Sequence, residues 1–332
     1  MVDINFTQAI LKREHPLVMP IGVYAGLEMI GATVSQSVSD AQVQAEAVLA
    51  MHDRFQTEML LTAMDLSAEA EAFGGAIRLS ENEIPTVVGR LVRNAEEAAA
   101  LPEPTPGALR TAVHLGAAEQ LAATKKGIVM GGCIGPFSLA GRLFGVSEAL
   151  EATVLDADLI TLLLKKVTRF LTDYARAFRD AGAAGVIMAE PAAGLLSPRG
   201  IAQFSAPYVQ QIAEAVQEAD FTVVYHNCGA RNVHLPSIFT SGAGVYHFGA
   251  QVDLAAALEE VDSSTILAGN VDPASIFYGG TQDDVRRKTK EMVRLASQHR
   301  NFIISSGCDL PPGVPVENME AFFTTVRGDS SK

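Results

Sequence analysis

The chain has 332 residues, 48% of them hydrophobic and 19% charged, the balance of a folded globular protein and not of a disordered one. Its 25 basic residues against 38 acidic ones give a net charge of −13, which argues against nucleic acid or an anionic membrane as the main partner. No stretch approaches the ~18 uninterrupted apolar residues of a membrane span, and the opening MVDINFTQAILKREHP lacks the layout of a secretory signal, so a cytoplasmic protein is expected.

Eight short apolar runs recur along the chain: Leu17 to Tyr24, Met59 to Asp65, Gly127 to Gly132, Ala184 to Glu190, Phe221 to Cys228, Gly244 to Gly249, Thr265 to Val271 and Phe302 to Cys308. Each is nearly continuous in apolar character, as parallel strands covered on both faces are. Between them lie segments with helical periodicity: Ala41 to Phe55, Ala108 to Lys125, Leu150 to Ala181 (two helices or one bent one), Ile201 to Glu218, Thr281 to His299 and Val316 to Val326. Eight strands alternating with helices predict an α/β fold, a (β/α)8 TIM barrel forming one domain over residues 1–332, with a doubly wound open sheet as the alternative. About 34 residues separate the first two strands and about 60 the second and third. These read as insertions after the first and second strands, decorating the catalytic face. The tail Arg327 to Lys332 reads as frayed.

In a barrel the C-terminal strand ends build the active site. Here those ends carry Asp65, Gly131 and Gly132, Glu190, His226 and Cys228, His247, Asn270 and Cys308. Residues i and i+2 of a strand share a face, so His226 and Cys228 point the same way while Asn227 points away. Cys308 ends the last strand, and a narrow barrel can bring it to the same mouth. Only three cysteines are present, Cys133 being the third, a count that suits free core thiols or metal ligands and not a disulfide framework. Two thiolates and an imidazole suit zinc, and three protein ligands leave one coordination position open, as in a catalytic site. Any of the three singly could also be core.

Asp65 and Glu190 each read as a fourth ligand displaced by substrate or as a group positioning it; helix capping or pairing with a basic neighbour is the alternative. Glu69 and Glu71 read as solvated helix charges. His247 is a candidate substrate contact, and Asn270 a candidate cofactor contact. The glycine-rich segment MGGCIGPFSLAGRLFG, through Gly131, Gly132 and Gly135, allows close backbone approach to a bound group or simply a tight strand-to-helix turn.

The segments MDLSAEAEAFG, GGCIGPFSLAGRLFG, IMAEPAAGLLSP, YHNCG, LAGNVDP and SSGCDLPPGVPVENMEAF resemble the uroporphyrinogen decarboxylase superfamily. Within it they are most similar to the methylcobalamin:coenzyme M methyltransferase group. The resemblance implies a TIM barrel and one zinc on His226, Cys228 and Cys308. It also implies methyl transfer from a methylated corrinoid, carried by a small corrinoid-binding protein, to a zinc-activated thiol. The reverse direction, decarboxylation of a porphyrin-like acid, and a non-catalytic zinc-binding subunit remain alternatives. Decarboxylation fits poorly, because Val18 to Gln36 contains no arginine or lysine to grip substrate carboxylates. The group's Asp-Pro after the fourth strand is Glu190-Pro191 here, which puts the identity of the thiol in doubt.

Overall fold

The computed structural model describes residues 6–328. Its strands are β1 (Met59–Leu61), β2 (Ala76–Arg78), β3 (Thr86–Val88), β4 (Ile128–Ile134), β5 (Gly185–Ala189), β6 (Thr222–Asn227), β7 (Val245–Phe248), β8 (Ile266–Val271) and β9 (Phe302–Ser306). Seven of them form one parallel sheet in the order β1-β4-β5-β6-β7-β8-β9; β2 and β3 make a separate antiparallel hairpin, which the apolar pattern did not predict.

Alternate residues explain the layering. Met59, Leu61, Met130, Ile187, Val224, Val245, Ile266 and Ile303 join Met19 and Ile21 in one buried cluster. Side chains from the first and last strands therefore meet, and the sheet is curled around them. Residues of opposite parity, such as Val186, Tyr225, Leu267 and Ile304, belong to the larger cluster shared with the helices.

The eight-stranded expectation is corrected at its first member. Residues 17–21 are not a full strand but touch β9 through a single parallel bridge, Val18 to Ile304. Met19 N donates to Ile304 O at 2.9 Å, and Ile304 N to Leu17 O at 3.0 Å. Odd-numbered residues thus serve β9, leaving even-numbered ones to face the β1 side. Two of these are Pro16 and Pro20, which have no N–H to give a ladder. The fold is a curled seven-stranded α/β sheet with this segment laid along its edge.

The helices follow their local signals. Asp40 caps Ala41–Phe55 by accepting from Gln42 N at 2.8 Å. The stretch expected as two helices or one bent one is two, Val146–Leu155 and Ala157–Asp180, broken at Asp156, which caps the second. Arg327 closes the last helix and donates to Phe55 O at 3.1 Å, so the start of the expected tail is ordered structure, while residues 329–332 lie outside the described range. Among the described residues no helix is long and apolar enough to cross a membrane.

Candidate metal centre

His226, Cys228 and Cys308 come together at the C-terminal rim. Their ligand atoms all lie within 4.8 Å of one another, and no other group of three or more such residues gathers among the described residues. His226 Nε2 stands 3.5 Å from Cys308 Sγ. β6 aims His226 and Cys228 to the interior, as the i, i+2 spacing requires, and β9 delivers Cys308 just past its end.

The protons of this site can be followed one at a time. The Ser305 hydroxyl donates its only proton to Met19 O. It must therefore accept from His247 Nε2, 2.8 Å away. Burial, and after it the neighbouring His226, hold His247 well below the ordinary imidazole range, so the ring is neutral and its Nδ1 is bare. That nitrogen accepts from His226 Nδ1–H at 2.8 Å. The remaining nitrogen, His226 Nε2, keeps its lone pair and faces the thiols. Metal-bound histidines are usually oriented by such a partner on the second nitrogen.

The two thiols share a proton. The hydrogen bond from Cys308 holds Cys228 well below the ordinary thiol range, with His226 adding to the effect against burial. Cys308 is pushed up by the same bond and by burial. Two sulfurs and a bare imidazole nitrogen within bonding reach of one centre fit a zinc ion, with one tetrahedral position left over.

The two expected carboxylates, Glu190 and Asp65, are engaged by other partners. Glu190 is fully buried and accepts from Phe137 N at 2.8 Å, Ser138 N at 3.0 Å and Ser138 Oγ at 2.8 Å. It caps the helix Pro136–Phe144, whose first residue has no N–H to satisfy. Burial pushes its carboxyl up to about 7 despite these donors. Asp65, also buried, accepts from Ser67 N and Ser67 Oγ and is paired with Arg110. Neither carboxylate belongs to the metal-ligand group.

The glycines are positions of close packing. A Cβ on Gly131 would lie 2.5 Å from the Phe178 ring, one on Gly132 2.7 Å from Ala63 O, and one on Gly135 2.3 Å from Glu190 Cγ. Asn270 Nδ2 donates to Gly249 O and Val252 O at 2.9 and 2.8 Å, tying down the loop after β7. Cys133 packs in the helix-side core.

The solvated reading of Glu69 and Glu71 is corrected. Glu69 is buried, accepts from Ile134 N at 2.9 Å, and burial pushes its carboxyl to about 8. Glu71 pairs with Arg110 at 2.7 Å. Sequence patterns alone did not single out Arg110, Tyr24 or Asp309. Arg110 lies 45 residues from Asp65, with no local pattern to reveal the pairing. The one available signal for Asp309 was its place beside Cys308.

A curled parallel α/β sheet with three potential metal ligands gathered at its C-terminal strand ends defines the class: an α/β enzyme fold whose candidate site lies at that rim. The chain belongs to the uroporphyrinogen decarboxylase (URO-D) family, whose model matches residues 12–328. It is 27% identical over 300 residues to the methylcobamide:CoM methyltransferase MtbA of Methanosarcina acetivorans, spanning 89% of this chain and 86% of that one. To the methylated-thiol–coenzyme M methyltransferase of Methanosarcina mazei it is 24% identical over 292 residues, 87% and 77% of the two chains. A uroporphyrinogen decarboxylase of Prochlorococcus marinus aligns at 29% identity but over only 60% of this chain and 57% of its own. Among solved structures, a methyltransferase from Methanosarcina mazei superposes with a TM-score of 0.87 at 22% identity, covering 98% and 99% of the two chains, which establishes a shared fold. The resemblance to the family's methyltransferase group thus agrees with the names of these relatives.

Proposed function

We propose that this chain is a zinc-dependent methyltransferase that moves a methyl group from a methylated corrinoid to a thiol. The observation that carries the reading is the set His226 Nε2, Cys228 Sγ and Cys308 Sγ, gathered at one point with a coordination position to spare. A zinc ion held there would lower the pKa of a bound thiol and keep it as a nucleophilic sulfur at neutral pH. The chain's own part is to hold that centre rigidly. The Ser305–His247–His226 chain fixes the imidazole, and the curled sheet keeps the mouth apolar below it.

In the transfer, the S–CH3 bond forms as the Co–C bond breaks. The electron pair stays on cobalt, giving Co(I), and the thiol proton leaves to solvent. The corrinoid supplies the leaving group and the protein supplies orientation.

A corrinoid-carrying protein as partner is supported by the surface. Among the described residues, the large hydrophobics that stand exposed include Leu109, Val154, Leu155, Leu195, Val233 and Tyr278. Each lies between the C-terminal end of a strand and a helix that returns from it. Apolar side chains exposed on those connections are available to a carrier that approaches the metal-ligand set from that end.

The test is methylcob(III)alamin demethylation by the purified protein, with bound zinc measured, across a panel of thiols. Thiol-dependent formation of Co(I) and thioether is expected; turnover without thiol dependence would refute it. The relative acting on methylated thiols favours, as a second reading, the same site working from a methylated sulfur compound towards Co(I). Supplying Co(I) corrinoid and a thioether in the same assay separates the two.

A further inference from the structure

β6 brings two of the three candidate ligands to the rim, and each is anchored from a different side. His226 faces the interior, where His247 holds it at 2.8 Å. Asn227 lies between the two ligands and faces the helix layer, as the alternation of a strand requires. It is fully buried. Its Oδ1 accepts from Gly229 N at 3.1 Å, and its Nδ2 donates to the Tyr225 hydroxyl at 3.4 Å. Tyr225, on the same face, stands 3.4 Å from the hydroxyl of Ser205, the residue between the helices Pro198–Phe204 and Ala206–Val216.

The bond to Gly229 spans Cys228. β6 ends at Asn227, and Cys228 and Gly229 form a turn. The main-chain bond that closes this turn, Ala230 N to Asn227 O, is long at 3.5 Å. The shorter bond comes from the asparagine side chain, which at this spacing mimics a backbone turn. The loops after β5 and β7, the two strands that flank β6, close on the same turn. A Cβ on Gly249 would lie 2.2 Å from Cys228 O. One on Gly194 would lie 2.8 Å from Gly229 C and 2.9 Å from Asn227 Oδ1. The space for the asparagine acceptor therefore exists because residue 194 has no side chain.

The groups behind a metal's ligands fix how those ligands are aimed. An imidazole can be held by its second nitrogen, as His226 is. A cysteine has no second polar atom to hold and reaches its sulfur through a single staggered bond, so the sulfur goes where the backbone sends it. We infer that Asn227 is a positioning residue for the metal centre: it shapes the turn that carries Cys228, and so sets that sulfur against His226 and Cys308, whose ligand atoms lie within 4.8 Å of it. This rests on the metal-binding reading of the preceding section. Asn227 touches neither metal nor substrate and acts through Cys228.

The test compares the full chain as wild type, Asn227→Asp and Asn227→Leu. Zinc affinity is read by chelator competition, metal geometry by the visible spectrum of the cobalt(II)-loaded protein, and stability by urea unfolding without metal. Aspartate keeps an oxygen that accepts from the N–H two residues on, whereas leucine has similar bulk and no acceptor. Asn227→Leu should bind zinc about tenfold or more weakly than wild type, with altered cobalt bands, since these report the coordination geometry. Asn227→Asp should keep most of the affinity and the wild-type spectrum. A folded Asn227→Leu with wild-type affinity and spectrum overturns the inference, because the residue then serves stability alone. A folded Asn227→Asp that binds no better than Asn227→Leu overturns it as well. If Asn227→Leu does not fold, Asn227→Ala takes its place, and Asn227→Ser, which restores an acceptor at similar size, must recover affinity; no recovery overturns the inference. If wild type takes up neither zinc nor cobalt, the metal-binding reading itself fails and the inference falls with it; normal uptake with unchanged variants removes the inference only.

Discussion

His247 presents a bare Nδ1 to the Nδ1–H of His226 at 2.8 Å, and this single contact decides which nitrogen of His226 faces the thiols. The two rings meet edge to face, with centroids 4.6 Å apart. Both are buried, so neither can exchange this partner for water.

Removing that contact should loosen the metal without removing a ligand. His247→Ala is expected to weaken zinc binding by about 10–100-fold, read by competition with a chelator. His247→Gln, whose side-chain carbonyl can accept from His226 Nδ1, should recover part of the loss. Unchanged affinity in His247→Ala would show that His226 needs no orienting partner.

Metal capture should depend on pH with a defined slope. At neutral pH Cys228, lowered by the hydrogen bond from Cys308, is the thiolate of the pair, whereas Cys308, pushed up by the same bond, keeps its proton. Binding therefore releases one thiol proton, and the affinity should rise about tenfold per pH unit across the neutral range. At acid pH the dependence should steepen as Cys228 also protonates. Chelator competition at several pH values gives the slope; a flat profile would mean the thiols are not ligands. In line with this, Cys228→Ser should lose the metal.

Glu190 and Gly135 form a fitted pair. A Cβ at Gly135 would meet Glu190 Cγ at 2.3 Å, so Gly135→Ala should destabilise the fold by about 1–3 kcal/mol, and Glu190→Asp in the same chain should relieve part of that. The raised carboxyl has its own signature. From an ordinary 4.5 to about 7, the folded state holds a proton that the unfolded chain has lost. Stability therefore falls as pH rises through that window, by about 3 kcal/mol in all from this group. Glu190→Gln should flatten this part of the urea-unfolding profile; an unaltered profile would show that Glu190 is ionised throughout.

Arg110 should carry the fold of the segment after β1. Its side chain is 9% exposed and that of its partner Asp65 is fully buried. Arg110→Met leaves Asp65 as an unpaired buried charge, a loss of about 3–5 kcal/mol measurable by urea or thermal unfolding. Adding Asp65→Asn should recover much of it. A loss confined to the Arg110 single variant would identify the pairing, whereas equal losses in both would point to packing of the arginine stem.

Much was legible in one dimension because it depends on period and adjacency. Apolar runs bounded by turn residues located seven strands, and the i, i+2 spacing put His226 and Cys228 on one face. The hairpin of β2 and β3 escaped notice because its short strands are largely exposed and so carry no apolar run.

Local spacing along the chain was therefore enough to pair His226 with Cys228 and to give the parallel α/β order, while Cys308 joined them through the expected barrel mouth and the family resemblance. Packing settled the rest. It gave Glu190 to a helix start 52–53 residues away and set His247 against His226. It placed Glu69 inside the protein and enclosed the Asp309 carboxylate oxygens beside Cys308. It also replaced the eighth strand by an edge segment, since the ladder to β1 asks N–H groups of positions held by proline. The physical reason is common to these cases. A side chain's hydrogen bonds and burial depend on which distant segments pack against it, and that is settled by the register and curl of the sheet, not by its neighbours in the chain.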